Sequence, residues 1–130
     1  MIENFLYAGA ELDSASSNLL KKYHIDGWRF YGHHMTIHFG AITLPQYIED
    51  WLLLNEGKEF TLTVIALGIS DKACAVQIEF DDIPCTNNLR HVTVSINPDK
   101  GKPIDSNNIT DWIKIIPFTL KATIKIYKKQ

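Results

Sequence analysis

Two short segments of the chain combine side chains that can transfer protons with side chains that can bind an anion. They read His34-Met-Thr-Ile and His91-Val-Thr-Val, each a histidine, an apolar residue, a threonine and an apolar residue. Imidazole titrates near neutral pH, so it can remove a proton or deliver one. A hydroxyl can donate a hydrogen bond to a phosphate oxygen. The motif pair predicts acid–base chemistry at phosphorus, with no metal and no other cofactor required. The candidate catalytic residues are His34, Thr36, His91 and Thr93.

Strand geometry would bring these four side chains together. On a β-strand, residues two positions apart project to the same face, so the histidine and the threonine of each motif point one way and the apolar residues point the other. If the two strands are neighbours in one sheet, two imidazoles and two hydroxyls converge on one cleft floor. The same alternation places His38 on the face of His34, about 13 Å along the strand, and Ser95 on the face of His91.

The surrounding pattern predicts an α+β domain with an antiparallel or mixed sheet. One helix should follow Asp13, which can cap it, and a second should follow Pro45 and stop at Gly57. A loop over 97–108, a short amphipathic piece around 109–115 and a break at Pro117 should precede the last strand. The predicted strands are 3–12, the second half of 28–39, 59–67, 73–80, 90–96 and 118–127.

Length and composition narrow the class of protein. The chain has 130 residues and 45% apolar residues, enough for a single domain spanning 1–130, and we expect a monomer. A net charge of -2 argues against duplex DNA as a partner, because binding many phosphates needs a basic excess. The two cysteines are eleven residues apart and suggest neither a disulfide framework nor a zinc site. With no apolar run of membrane-spanning length and no signal-like start, we expect no membrane partner and a cytoplasmic location.

The motif pair resembles the signature of the 2H phosphoesterase superfamily, two His-x-[Ser/Thr]-x motifs on the inner strands of a bilobal α+β fold. The segments Tyr7-Ala-Gly-Ala-Glu-Leu-Asp and Gly32-His-His-Met-Thr-Ile-His-Phe-Gly are similar to the compact branch of cyclic phosphodiesterases and RNA-repair proteins. The resemblance implies a compact bilobal fold with a central cleft and two main helices on the outer faces. The interval of 57 residues between the motif histidines is short for the superfamily and indicates a minimal version.

The resemblance also implies a substrate class. It suggests a metal-independent phosphodiesterase acting on a nucleotide or a short RNA or oligonucleotide: a 2′,3′-cyclic phosphate, a 2′,5′-linkage or a cyclic oligonucleotide. A viral or phage member that degrades cyclic nucleotide immune signals is one form of this hypothesis. Two other classes stay open, a binding module that sequesters such a ligand without turnover and an interaction scaffold that uses the polar face of the last strand.

Four further residues are candidates for substrate binding. Tyr7 and Trp28 could stack on a base, although aromatic residues on strands more often belong to a core. Lys102 and Ser106 lie in the polar loop after the second motif, where they could meet a phosphate or a ribose.

Overall fold

Strands dominate the chain. The computed structural model describes residues 2–40, 43–87 and 89–130. Within these ranges, the strands are β1 (Phe5–Leu12), β2 (Arg29–Phe30), β3 (His34–Phe39), β4 (Glu59–Ile69), β5 (Ala73–Ile78), β6 (His91–Ile96) and β7 (Trp112–Lys128). The helices are α1 (Ser14–Leu20), α2 (Gln46–Asn55) and two 3-10 turns at Lys21–Tyr23 and Pro103–Asn108.

Six of the strands close into a ring. Each pairs antiparallel with the next in the order β1, β3, β6, β5, β4, β7 and back to β1, while the short β2 lies along β6. The expected α+β class with a bilobal 2H-type fold is therefore wrong: the structure is a closed six-stranded antiparallel barrel with a few short helices. The physical reason is the pairing of β5 with both β4 and β6, which shuts the sheet around one core instead of leaving two lobes on either side of a cleft.

The core fills the inside of this ring. One cluster of buried side chains takes residues from all six strands, including Met35, Val92 and Leu120, which are 0% exposed. Leu20 of α1 and Leu52 of α2 belong to the same cluster. The two helices thus contribute to the barrel's core, and the expectation that they cover the outer faces of two lobes is wrong.

The helix termini follow the signals in the sequence. The carboxylate of Asp13 accepts a hydrogen bond of 2.7 Å from the backbone N–H of Ser16, which confirms the predicted cap of α1. Helix α2 starts directly after Pro45 and is followed by Gly57, which has a φ of 83° that suits glycine. No helix within the described residues is long and apolar enough to cross a membrane.

The last strand is longer than the sequence predicts. The alternation over 118–127 is confirmed, but β7 begins at Trp112 and passes through Pro117, so the predicted break there is wrong. Between the pairs Val64–Phe118 and Ala66–Lys114, β7 contains two more residues than β4. Pro117 lies in this irregular stretch, where a residue without an N–H is tolerated because the ladder is locally interrupted.

Candidate active site

The two motif strands are neighbours in the barrel. Strands β3 and β6 run antiparallel and meet at the pair Met35–Val92, the apolar residues that follow the two histidines. Both of these side chains are fully buried inside the ring, so the residues on either side of them point outward. The regular pairing does not continue toward Thr93, because the backbone carbonyl of Thr93 accepts a hydrogen bond of 2.9 Å from the backbone of Gly32. The two histidines flank the bridging pair and are close enough that charge on His91 contributes to lowering the pKa of His34.

A cleft of about 450 Å³ lies over this outer face. All four candidate catalytic residues, His34, Thr36, His91 and Thr93, line it. Its volume is in the range of small-molecule sites. The cleft is thus on the outer wall of the barrel, and the central cleft expected between two lobes is replaced by this one.

The second half of β3 departs from simple alternation. Along β1, Gly9 pairs with Thr36 and the preceding Ala8 pairs with His38, so Ile37 is an extra residue in a β-bulge. The bulge turns His38 away from the cleft, where it is 0% exposed and its Nδ1 lies 3.1 Å from the hydroxyl of Thr86. The predicted position of His38 on the face of His34 is therefore wrong.

The bulge has a second consequence for the cleft. Because the alternation is shifted by one residue after Ile37, the side chain of Phe39 points to the cleft, which it lines while remaining 58% exposed. Simple alternation assigned Phe39 to the apolar face. A β-bulge has no clear signal in a single sequence, which is why Phe39 was missed.

Strand β6 has a bulge at the same step of its motif. Along β5, Ala75 pairs with Thr93 and Cys74 pairs with Ser95, so Val94 is the extra residue. Ser95 therefore shares the inward face of Cys74, and its hydroxyl accepts a hydrogen bond of 3.4 Å from the backbone of Ile25. The predicted place of Ser95 beside His91 is wrong for this reason.

Both ring nitrogens of His34 have partners inside the protein. Its Nδ1 lies 2.6 Å from Nδ1 of His33, and its Nε2 lies 3.1 Å from the hydroxyl of Thr36. Burial, with a smaller effect from His33, lowers the pKa of His34 from 6.5 to about 4. His34 is thus a neutral imidazole at pH 7 when the cleft contains no anion.

The low pKa of His34 should make stability depend on pH. Between pH 6.5 and 4, this histidine takes up a proton in the unfolded chain but stays neutral in the folded one. The free energy of unfolding should therefore fall as the pH falls through this range, by about 2–3 kcal/mol from this group at pH 4.5. Urea unfolding at pH 7.5 and pH 4.5 measures the change. In His34→Gln the difference between the two pH values should shrink by this amount, and an unchanged difference would contradict the prediction.

His91 has one ring nitrogen engaged with the backbone and one available. Its Nδ1 lies 3.0 Å from the carbonyl oxygen of Leu89, which can only accept, so Nδ1 carries the proton. In the neutral ring, Nε2 is then an acceptor. Burial lowers the pKa of His91, opposed by the bond to Leu89. A neutral imidazole with its tautomer fixed in this way is suited to act as a base.

Ser106 supports the second motif and is not open to a ligand. It lies in the 3-10 turn over 103–108, is 1% exposed, and its hydroxyl is 2.8 Å from that of Thr93. The predicted contact of Ser106 with substrate is therefore replaced by a contact with Thr93. Pro103, Ile104 and Asn107 of the same turn form one wall of the cleft.

Tyr7 is the second aromatic residue of the cleft. Its ring stacks on Tyr127 at 4.3 Å between centroids and lies 5.3 Å from the ring of His34. The hydroxyl of Tyr127 donates a hydrogen bond to the carboxylate of Glu11, which pairs with His34 across β1 and β3. Tyr7 is thus held against the first motif by its neighbours.

Two of the predicted binding residues lie elsewhere. Trp28 is half-buried and packs against the barrel's core, which is the common position of an aromatic residue. Lys102 is exposed and precedes the 3-10 turn, where its backbone N–H donates a hydrogen bond of 2.8 Å to the carboxylate of Asp105. Neither side chain is among the residues that line the cleft.

Sequence reasoning also missed polar residues and a third aromatic residue of the cleft. Tyr31, from the segment before β3, lines it, as do Asn87, from the loop before β6, and Asn107, from the 3-10 turn over 103–108. These residues are not on the motif strands and have no pattern of their own. Among the described lining residues there is no lysine, arginine, aspartate or glutamate. Across residues 2–40, 43–87 and 89–130, no three His, Cys, Asp or Glu side chains are grouped to hold a metal ion.

No protein-family model matches this chain, and no curated protein is significantly similar to it. Function is therefore inferred from the geometry of the cleft and from the two motifs.

Proposed function

We propose that this protein is a metal-independent phosphodiesterase that cleaves a nucleotide or short oligonucleotide phosphodiester by acid–base catalysis. The observation that carries the proposal is that both His-x-Thr pairs, 57 residues apart in the chain, line one open cleft. Two imidazoles and two hydroxyls around one opening meet the needs of displacement at phosphorus. The resemblance of the motifs to those of 2H phosphoesterases supports the same reaction.

The proposed step moves two protons and exchanges one bond at phosphorus. An oxygen from water or from a ribose hydroxyl bonds to phosphorus while the bond to the leaving nucleoside oxygen breaks. His91 removes the proton of the attacking oxygen through Nε2, because its Nδ1 proton is held by Leu89. His34, as imidazolium, delivers a proton to the leaving oxygen. A bound phosphate diester favours that charged form, since an anion close to the ring raises its pKa.

The two threonines would bind the non-bridging oxygens. Thr36 lies beside the ring of His34, and Thr93 is oriented by Ser106, so each hydroxyl has a second contact that limits its rotation. Donors that are already oriented stabilise the charge that develops on those oxygens as phosphorus becomes five-coordinate. Phe39, which lines the same cleft and is 58% exposed, offers a face on which a base can stack, with Tyr7 beside it.

The cysteines fit the proposed setting in the cytoplasm. Cys74 and Cys85 are free thiols, and burial raises the pKa of each to about 11. Such thiols remain protonated and unreactive at neutral pH. In a reducing compartment both cysteines would remain free thiols.

The test is turnover in the presence of EDTA. Purified protein is incubated with nucleoside 2′,3′-cyclic phosphates, with 2′,5′- and 3′,5′-linked dinucleosides and with cyclic dinucleotides, and products are separated by chromatography. We expect conversion of at least one class by the natural protein and none by a double variant, His34→Ala with His91→Ala, purified in parallel. Conversion that persists in the double variant would point to a contaminating enzyme and contradict the proposal.

One observation favours a second candidate, a module that sequesters a nucleotide without turnover. Both ring nitrogens of His34 are engaged within the protein, and its lowered pKa leaves few imidazolium groups at pH 7. The same assay separates the two functions. Tight binding of a diester with no product at any pH from 5 to 8 would support the module.

The rate should depend on pH in a way that follows from the two histidines. Burial lowers the pKa of both, so the form with one ring protonated and one neutral is most abundant below pH 6.5, whichever ring is the acid. We expect kcat/KM to peak below pH 6.5 and to fall up to tenfold per unit above the peak. Samples from each pH are assayed again at pH 6.5 to exclude unfolding. A maximum above pH 7.5 would contradict the prediction.

A further inference from the structure

A second, smaller cavity adjoins the cleft. It has a volume of about 260 Å³ and is lined by Thr86, Asn87, Leu89 and Asn107. Asn87 and Asn107 also line the first cleft, so these two residues form the boundary between the two spaces. The second cavity is also linked to the second motif, because the carbonyl of Leu89 accepts the Nδ1 proton of His91.

The boundary residues are equipped to recognise a ligand. The side-chain amides of Asn87 and Asn107 form no hydrogen bond with any described residue. Each amide offers donors and an acceptor, the combination that matches the edge of a nucleobase or the hydroxyls of a ribose. By contrast, Thr86 already donates to the carbonyl of Ile37 and helps to hold the loop.

The charge of the two cavities limits what they can hold. Their described lining residues include histidines but no lysine, arginine, aspartate or glutamate. A triphosphate or a long RNA backbone carries several negative charges that this lining could not balance. A ligand with a single diester charge and neutral groups on both sides suits it better.

We propose that the cleft and the adjoining cavity are two nucleoside subsites on either side of the histidine pair, so that the substrate is a phosphodiester that joins two nucleosides. This inference rests on the proposed phosphodiesterase function and specifies its substrate class. One nucleoside stacks on Phe39 in the aromatic cleft, beside Tyr7. The other extends past Asn87 and Asn107 into the second cavity.

The experiment compares substrates with one nucleoside and with two. Values of kcat/KM are measured for adenosine 2′,3′-cyclic phosphate and for 2′,5′- and 3′,5′-linked diadenosine monophosphate. We expect at least one dinucleoside to be preferred by tenfold or more. Asn107→Ala and Asn87→Ala should each lower the ratio of kcat/KM for that dinucleoside to kcat/KM for the cyclic mononucleotide about tenfold, the loss of about one hydrogen bond. Asn108→Ala, the next residue of the same turn and outside both cavities, is the matched control.

The possible results separate the inference from the function. If the cyclic mononucleotide is cleaved as well as the dinucleosides, or if the asparagine variants slow both substrates equally, the second subsite is refuted while the phosphodiesterase function stands. If none of the diesters is cleaved by the natural protein, the proposed function fails and the inference fails with it. A loss about tenfold larger for the dinucleoside than for the cyclic mononucleotide in both asparagine variants, and absent from Asn108→Ala, supports two subsites.

Discussion

Replacing either motif histidine by alanine is expected to reduce kcat for a dinucleoside phosphodiester about 10³-fold, the usual contribution of one general acid or base. The two variants should differ on a substrate whose leaving group needs no proton. With bis(p-nitrophenyl) phosphate, His34→Ala should recover most of its activity, because p-nitrophenolate departs without an acid. His91→Ala should stay impaired, because His91 is the base with its tautomer fixed by Leu89.

Two controls accompany this comparison. His24→Gln changes a histidine outside the cleft and should leave both rates unchanged. Thermal unfolding of each variant shows whether the fold is retained. If His91→Ala recovers activity on the activated substrate and His34→Ala does not, the two roles are reversed. If neither substitution lowers the rate on either substrate, the histidine pair is not the catalytic centre.

Gly9→Ala is expected to lower kcat about tenfold while leaving the fold intact. Gly9 lies on β1 opposite Thr36, and a Cβ added there would lie 3.1 Å from Cδ2 of His34 and 3.0 Å from the carbonyl oxygen of Met35. Both contacts are closer than ordinary packing allows, so the imidazole must shift. A displacement of about 1 Å can lower the rate about 10²-fold, so a shift of a few tenths of an ångström should cost about tenfold.

A double-mutant cycle identifies the cause of that loss. In the His34→Ala background the obstructed ring is absent, so adding Gly9→Ala should lower kcat by less than threefold. Equal losses in both backgrounds would show that the alanine acts through the backbone of Met35 and not through the imidazole. The cycle is measured on one dinucleoside substrate, with KM determined separately for each variant.

The sequence contains enough information for the local parts of this site. Alternation around Met35 and Val92 predicts which side chains face inward, and the structure confirms it because the apolar residues need burial in one core. Asp13 and Gly57 mark helix ends correctly because capping depends on a few neighbouring residues. Each of these features depends on residues that lie within about ten positions of one another in the sequence.

Features that depend on distant segments could not be predicted in this way. The barrel closes only because β5 pairs with β6 as well as with β4. The alternation of apolar and polar residues along each strand is the same for an open sheet and for a closed barrel. The two bulges are set by pairing with β1 and β5, and each one moved a residue that alternation had placed: Phe39 into the cleft and Ser95 out of it. The asparagines were missed because they come from a loop and a 3-10 turn.

A closed circle of strands has no hinge beside the histidines. Strands β3 and β6 touch at a single bridging pair, so their separation is maintained by β1 on one side and β5 on the other, and through them by the whole circumference. The relative position of the two motif histidines therefore depends on the stability of the whole barrel. Loss of the hydrogen bonds between β4 and β7, on the opposite side of the barrel, would open the ring of strands and thereby displace the two imidazoles.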